Sequence, residues 1–375
     1  LWLPLVTARY IRATGDSGIL GENAPYLRGR PLKDDEESYY DLPDISPETG
    51  TLYEHCLKSI LYGLKFGAHR LPLMGSGDWN DGMDRVGLKG RGESVWLGFF
   101  LHLVLKEFGP LAEMKNDPAV VKRLADETAA LRLSLEEHAW DGQWYRRAYF
   151  DDGSPLGSAQ NQECRIDAVA QSWSALSGAG EPGRVREAMA ALSENLVDRQ
   201  SKIIRLLTPP FEKGEPNPGY IKNYPPGVRE NGGQYSHAAV WAVMAFAALG
   251  DREKALELFN LISPVNHGRT AEEADVYKAE PYVVAADVYG VKPQNGRGGW
   301  SWYTGSSSWL YQLMFESPIG LRRENDALIL NPCPAESWAG YRVHYRFLDT
   351  GYHMNFKVGP AGSNPAIKQD GQDLE

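Results

Sequence analysis

The sequence predicts a mainly α-helical body with a small β-sheet unit at its carboxy end. Three observations predict it. Apolar residues recur at helical spacing in successive segments as far as Phe315, long Gly- and Pro-rich connections separate those segments, and the pattern changes to strict alternation after Glu324.

The chain opens directly on a helix-like pattern, LWLPLVTARYIRATGD, with no initiator Met, basic region or cleavage site, and reads as a piece of something longer. Helical periodicity then marks Leu52 to Leu64, Ser94 to Phe108, Ala119 to Leu135, Ala168 to Leu176, Arg184 to Leu196, Ala238 to Leu249, Lys254 to Ile262, Pro281 to Tyr289 and Ser308 to Phe315. This makes about nine or ten helices, and their recurrence in pairs suits a toroid of helical hairpins. Between them, Pro72 to Gly92, Pro209 to Gly233 and Lys292 to Gly305 exceed the roughly 4–6 residues of a compact connection, and long loops on a helical scaffold are where function tends to sit. Near the end, Tyr341, Val343, Tyr345 and Phe347 alternate with Arg342, His344 and Arg346. A turn at Asp349-Thr350-Gly351 follows, then Tyr352, Met354, Phe356 and Val358 alternate again, which is a β-hairpin; Leu328 to Leu330 adds a further strand.

Composition narrows the function. At 375 residues, 42% hydrophobic and 23% charged, the chain has material for one large core or a large core with a small satellite. Net charge is −10 and no stretch gathers Lys and Arg densely, which argues against a nucleic-acid partner and fits a neutral ligand. Cys56, Cys164 and Cys333 are odd in number and far apart, giving neither a disulfide framework nor zinc spacing, so the expected compartment is reducing. The apolar runs Val95 to Leu105 and Ala238 to Leu249 fall short of the roughly 20 residues that span a bilayer, and no direct membrane insertion is expected of this segment. Many of the 11 Trp and 19 Tyr sit beside glycines and polar residues in loop-like stretches, a placement suited to sugar stacking as well as to filling cores.

Three clusters carry candidate chemistry. In LPLMGSGDWNDGMDRVGLKGRGESVW, glycines allow close backbone approach, the Trp79 indole offers a flat face to a sugar ring, and a carboxyl group beside such a face can be desolvated. Desolvation raises a carboxyl pKa toward the range of a general acid, so Asp81 or Asp78 could protonate a leaving oxygen; the plain alternative is an Asn80-Asp81-Gly82 turn capped by Asp78. A calcium loop fails on pattern, with Met83 where glycine is needed and Lys89 where a bidentate Glu is needed. In RENGGQYSH, Glu230 could bond sugar hydroxyls or activate water and His237 could bind an anion when protonated, or both could be helix caps. In NGRGGWSWYTGSSS, backbone amides at a helix start, with Thr304, Ser306 and Arg297, suit phosphate. This loop matches neither a Walker loop nor a dinucleotide fingerprint.

The stretches GDWNDGMDRVGLKGRGESVW, ENGGQYSHAAVW and EPYVVAADVYGVKPQNGRGGWSWYTGSSSW together resemble glycoside hydrolase family 94, the family of cellobiose, chitobiose and β-1,2-oligoglucan phosphorylases. The likeness is nearest to the carboxy-terminal phosphorylase-like domain of cyclic β-1,2-glucan synthases and runs over most of the chain. It implies an (α/α)6 barrel lacking its first helices over residues 1–324 and a small carboxy-terminal β unit over 325–375, with the family's amino-terminal β-sandwich upstream. By the same resemblance Asp81 falls on the general acid, Trp79 lines the sugar site beside Asp78, Glu230 contacts substrate, and His237, Thr304 and Gly305 hold phosphate. Val284-Ala285-Ala286 stands where some members carry a phosphate-contacting Gln.

The reaction so implied is inverting phosphorolysis of a β-linked glucoside, with β-1,2-glucan the expected substrate, inorganic phosphate as co-substrate and α-glucose 1-phosphate as product. It calls for no metal or organic cofactor, because phosphate is already a competent nucleophile. Two other readings stay open: an inverting hydrolase with Asp81 as acid and Glu230 as base, roughly 6.5–9.5 Å apart, and a non-catalytic glucan-binding module of a larger synthase. The expected setting is the cytoplasm or the cytoplasmic side of an inner-membrane synthase, as a homodimer or as part of a larger chain.

Overall fold

The computed structural model describes residues 1–33, 36, 39–302, 304–359 and 367–374. Ten α-helices are present among the described residues: α1 (Trp2–Thr14), α2 (Leu52–Gly63), α3 (Val95–Met114), α4 (Pro118–Ser134), α5 (Ala168–Leu176), α6 (Pro182–Asn195), α7 (Ser236–Ala248), α8 (Arg252–Ile262), α9 (Ala271–Tyr277) and α10 (Thr304–Glu316). Their starts are written locally. Thr51 and Glu54 form a reciprocal capping box on α2, Ser94 caps α3 through Leu97 N–H at 2.9 Å, and Asp117-Pro118 and Glu181-Pro182 set a capping carboxylate before a proline at α4 and α6.

The helices form two layers. α1, α3, α5, α7 and α10 make an inner row in which each packs on the next, and α2, α4, α6 and α8 back onto α1, α3, α5 and α7 from outside. The middle inner helices α3, α5 and α7 are buried on most sides and read as apolar runs; α7 (SHAAVWAVMAFAA) shows this most plainly, whereas outer helices keep one apolar face. Between the inner helices lies an indole cluster, with Trp173 edge-on to Trp241 at 5.1 Å and Trp96 stacked on Phe100 at 5.2 Å. α3 has the length and composition of a membrane span, but it is the central core helix, and most of Val95 to Ala112 is covered by protein.

Two segments depart from the sequence expectation. Pro281 to Tyr289 is not a helix: Ala286 N–H bonds Trp300 O, Ala286 O accepts from Ser236, and Asp287–Val288 pairs with Gln234–Tyr235. Its backbone groups go to long-range partners, which a helix would have consumed internally. Conversely, α9 was not legible, since its charged surface AEEADVY buries only Tyr277. The carboxy end is a succession of two-stranded hairpins rather than one sheet. Leu321–Glu324 pairs with Ala327–Leu330, and Gly340–Phe347 pairs with Thr350–Lys357 in the alternating register expected. The first hairpin touches both α1 and α10, with Asn325 N–H bonding Arg12 O at 2.8 Å, so the expected boundary at 324/325 falls in its turn.

Candidate functional site

The connections leading into α3, α7 and α10 meet at the amino ends of the inner helices. The first of them, from Leu73 to Gly92, is held by side chains bonding its backbone. Asp151 accepts from the N–H groups of Lys89, Arg91 and Gly92 at 2.7–2.9 Å, and Asn80 Oδ1 accepts from Gly82 N–H at 3.1 Å, closing the short 3-10 turn Asp81–Met83. Beneath it, the Asp78 side chain is fully buried. Both its oxygens take Arg147 at 2.6 Å, with Ser94 Oγ and Asn80 N–H as further donors. The expectation of a sugar contact from Asp78 does not fit this arrangement: its lone pairs are spent on holding the loop. Arg147 also lies 3.6 Å from buried Asp167. Burial alone would lower the guanidinium pKa, but the two carboxylates outweigh it and hold it above the usual range; burial pushes Asp167 up to about 6.

Asp81 stands differently, exposed at the start of its turn, with the Tyr220 hydroxyl donating to it. The Trp79 indole does not cover it. That ring turns inward, edge-on to Tyr235 and His237 at 5.6 Å each and tilted against Trp241 at 5.2 Å. Glu230, by contrast, is a desolvated carboxyl: burial pushes it above the ordinary range and the nearby charge of Asp81 adds to the push, against the pull of Arg229, whose Nε donates at 3.2 Å.

Burial holds the His237 imidazole down at about 4, so it is neutral at neutral pH, where the sequence suggested a protonated anion binder. Trp79 Nε1–H donates to His237 Nδ1 at 3.3 Å, which assigns the remaining proton to Nε2. Nε2 is buried with no partner. The ring packs on Trp241 at 4.3 Å and on Trp309 of α10 at 5.9 Å, and Ser306 lies one turn before Trp309. Ser306 Oγ is likewise buried and without a partner, in the first turn of a 13-residue helix whose amide end favours anions. Gly305 is exposed with open space around it, while Tyr303 and the Thr304 side chain lie outside the described residues. Asp287 completes the cluster: its Oδ1 accepts from Trp300 N–H at 3.2 Å, and a Cβ on Gly299 would overlap the carboxylate, so glycine is required there.

The family model of the glycosyl hydrolase 94 superfamily catalytic domain matches residues 1–320, including all three loops. The chain belongs to the glycosyl hydrolase 94 superfamily. Among curated relatives of this glycosyl hydrolase 94 chain, cyclic beta-(1,2)-glucan synthase NdvB of Rhizobium meliloti (strain 1021) is 45% identical over 98% of this chain and 13% of its own length. Solabiose phosphorylase of Paenibacillus borealis is 29% identical over 90% of this chain and 41% of its own length. The 1,2-beta-oligoglucan phosphorylase of Listeria innocua serovar 6a is 23% identical over 97% of this chain and 34% of its own. The chain thus spans less than half the length of these relatives. Among solved structures, a sialidase shares the fold with a TM-score of 0.53 at 14% identity, over 78% of this chain and 26% of its own.

Sequence reasoning on this glycosyl hydrolase 94 chain missed Tyr220, Arg147, Asp167 and Asp287. A signal existed for two of them. Asp167 directly precedes the apolar run of α5, where an N-cap belongs, and its Oδ1 accepts from Val169 N–H at 2.9 Å. Tyr220 follows Gly219, whose φ of +127° marks a special turn between prolines. Arg147 gives no local sign, because its partners lie 69 and 20 residues away in sequence.

Proposed function

We propose that this chain carries out inverting phosphorolysis of a β-linked glucoside, with Asp81 as general acid and phosphate received between His237 and the start of α10. The observation that carries the reading is the pair of buried, unpartnered donors, His237 Nε2–H and Ser306 Oγ–H, beside the amide end of α10, with His237 bonded to Trp79 of the loop that also carries the exposed Asp81. Buried polar groups are ordinarily satisfied, and two orphan donors at a helix amino end fit the oxygens of an anion that a hydrolase would not need. Thr304 and Gly305 are proposed to add to this cradle, and Trp79 and Glu230 to line the sugar.

In the proposed step, the Asp81 carboxyl gives its proton to the glycosidic oxygen as the bond from that oxygen to the anomeric carbon breaks. An oxygen of hydrogen phosphate attacks the same carbon from the opposite face, giving inversion. The products are α-glucose 1-phosphate and a glucoside shortened by one unit, and the proton released by the sugar phosphate restores Asp81. No metal or organic cofactor enters this scheme. β-1,2-Glucan is the proposed substrate, supported by the likeness to a cyclic beta-(1,2)-glucan synthase and a 1,2-beta-oligoglucan phosphorylase.

The two-layered helical arc is proposed to close into an (α/α)6 barrel over residues 1–324, followed by a small β unit over 325–375. Leu3, Val6 and Tyr10 on α1 and Tyr311 on α10 expose apolar surface at the two ends of the inner row, as they would if a further helical pair belonged between them. The three free thiols, two of them buried, support a reducing, cytoplasmic setting. The test is incubation with short β-1,2- and β-1,4-glucans with and without phosphate, on this chain and on a version extended upstream. Phosphate-dependent α-glucose 1-phosphate is the expected result; glucose released without phosphate would replace the reading with a hydrolase.

A further inference from the structure

Outward from Asp81 and Glu230, four side chains touch in sequence. The Tyr220 hydroxyl bonds Asp81, the Tyr220 and Tyr224 rings meet edge-on at 6.3 Å, and the Arg229 guanidinium lies over Tyr224 at 5.0 Å and over Trp300 at 4.4 Å. Glu230 neutralises Arg229 at 3.2 Å, so the sandwich has no net charge with which to attract an anion. Stacking on a guanidinium fixes the planes of both rings in advance. Trp300 is nevertheless 57% exposed and its neighbour Trp302 68% exposed. Trp302 sits at φ +63°, a strained conformation for a bulky residue, with its indole N–H reaching Glu280 at 3.4 Å. Keeping two exposed indoles on a strained, glycine-flanked loop serves no packing purpose, and exposed aromatic surface of this kind marks a binding face.

We propose that Tyr220, Tyr224, Arg229 and Trp300 form an extended sugar track, and that the substrate class is a glucan oligosaccharide reaching several units beyond the cleaved bond rather than a disaccharide. The proposal rests on the reading of Asp81 and Glu230 as the reaction centre. Flat, uncharged rings in succession match the apolar C–H faces of consecutive glucosyl units, and the succession runs further than a single pyranose ring. The Arg229–Glu230 pair joins the outer part of the track to the buried carboxyl, so a sugar seated on Trp300 bears on the geometry at the centre.

Isothermal titration with disaccharide and hexasaccharide of the β-1,2 and β-1,4 series tests it, on the wild-type chain, Trp300→Ala and Trp300→Phe. Tighter binding of a hexasaccharide is expected in the wild type, weakened about tenfold in Trp300→Ala, largely kept in Trp300→Phe, with disaccharide affinity unchanged. Equal affinity for both lengths in both series, or an equal loss for both lengths in Trp300→Ala, would overturn the track. Phosphorolysis assayed in parallel separates the two readings: length-dependent binding with no phosphate-dependent sugar phosphate overturns the reaction and leaves the track, and disaccharide phosphorolysis without length dependence does the reverse.

Discussion

Replacing Arg147 with Met tests what holds the loop that carries Asp81. The Arg147 and Asp78 side chains are both 0% exposed and share two bonds of 2.6 Å, with Asp167 at 3.6 Å on the other side. Methionine preserves most of the volume but leaves two carboxylates without their counter-ion in the interior. Removing one partner of a buried pair costs about 3–5 kcal/mol, chiefly the penalty of the orphaned charge. Urea denaturation should record that loss as a lower midpoint at unchanged slope. The pH dependence carries the sign of the cause. Orphaned carboxyls have folded pKa values raised above their unfolded ones, as Asp167 at about 6 already does, so the native state holds protons that the unfolded chain has lost. Stability then falls as pH rises through that window, and Arg147→Met should be more destabilised at pH 8 than at pH 5. Adding Asp78→Asn should return part of the loss, with a coupling energy of about 1–3 kcal/mol across the double-mutant cycle. A loss under about 1 kcal/mol, or strict additivity, would refute the claim that this pair anchors the loop.

Other perturbations separate binding, chemistry and stability. Asp81→Asn should lower phosphorolysis by about 10²–10⁴-fold with unchanged thermal unfolding, since Asp81 is exposed. Because His237 titrates at about 4, it stays neutral from pH 6 to 8 and should put no step in the phosphate KM profile over that range. Its folded pKa lies below the unfolded value near 6.5, so its contribution to stability is lost as pH falls from 6.5 toward 4, by about 2 kcal/mol at pH 5. His237→Phe should flatten that part of the stability curve, and an unaltered curve would show that the imidazole is not held neutral. Ser306→Ala deletes a buried hydroxyl that has no partner, so it should leave stability within about 0.5 kcal/mol while raising the phosphate KM severalfold.

Helix periodicity found nine of the ten described helices within a few residues, because inner helices such as α7 are apolar all round and capping residues stand where the runs begin. What the sequence obscured was long-range pairing. Pro281 to Tyr289 carries a helix-compatible apolar pattern, yet its backbone is drawn into bonds with Ser236 and with Trp300, residues on separate connections. The site was legible as three clusters of residue types, since glycines, carboxylates and indoles on long loops announce themselves. Their electrostatic roles were not, because burial is a tertiary quantity. Asp78 and Asp81 are three residues apart in one motif, and only folding spends the first on Arg147 and leaves the second at the surface.

That difference between neighbours bears on how an acid can be both mobile in charge and fixed in place. A general acid has to change protonation state at every turnover, and a carboxylate locked to a buried arginine cannot do so without forfeiting the ion pair. Asp78 therefore suits anchoring. Its bond to Asn80 N–H transmits the rigidity of the Arg147–Asp167 interior to the turn that carries Asp81. Asp81 meets the Tyr220 hydroxyl at the surface, and Tyr220 is also the first ring of the aromatic succession toward Trp300. A sugar settling on those rings would exclude water from Asp81 and supply on binding the apolar cover that Trp79, turned toward His237, does not provide.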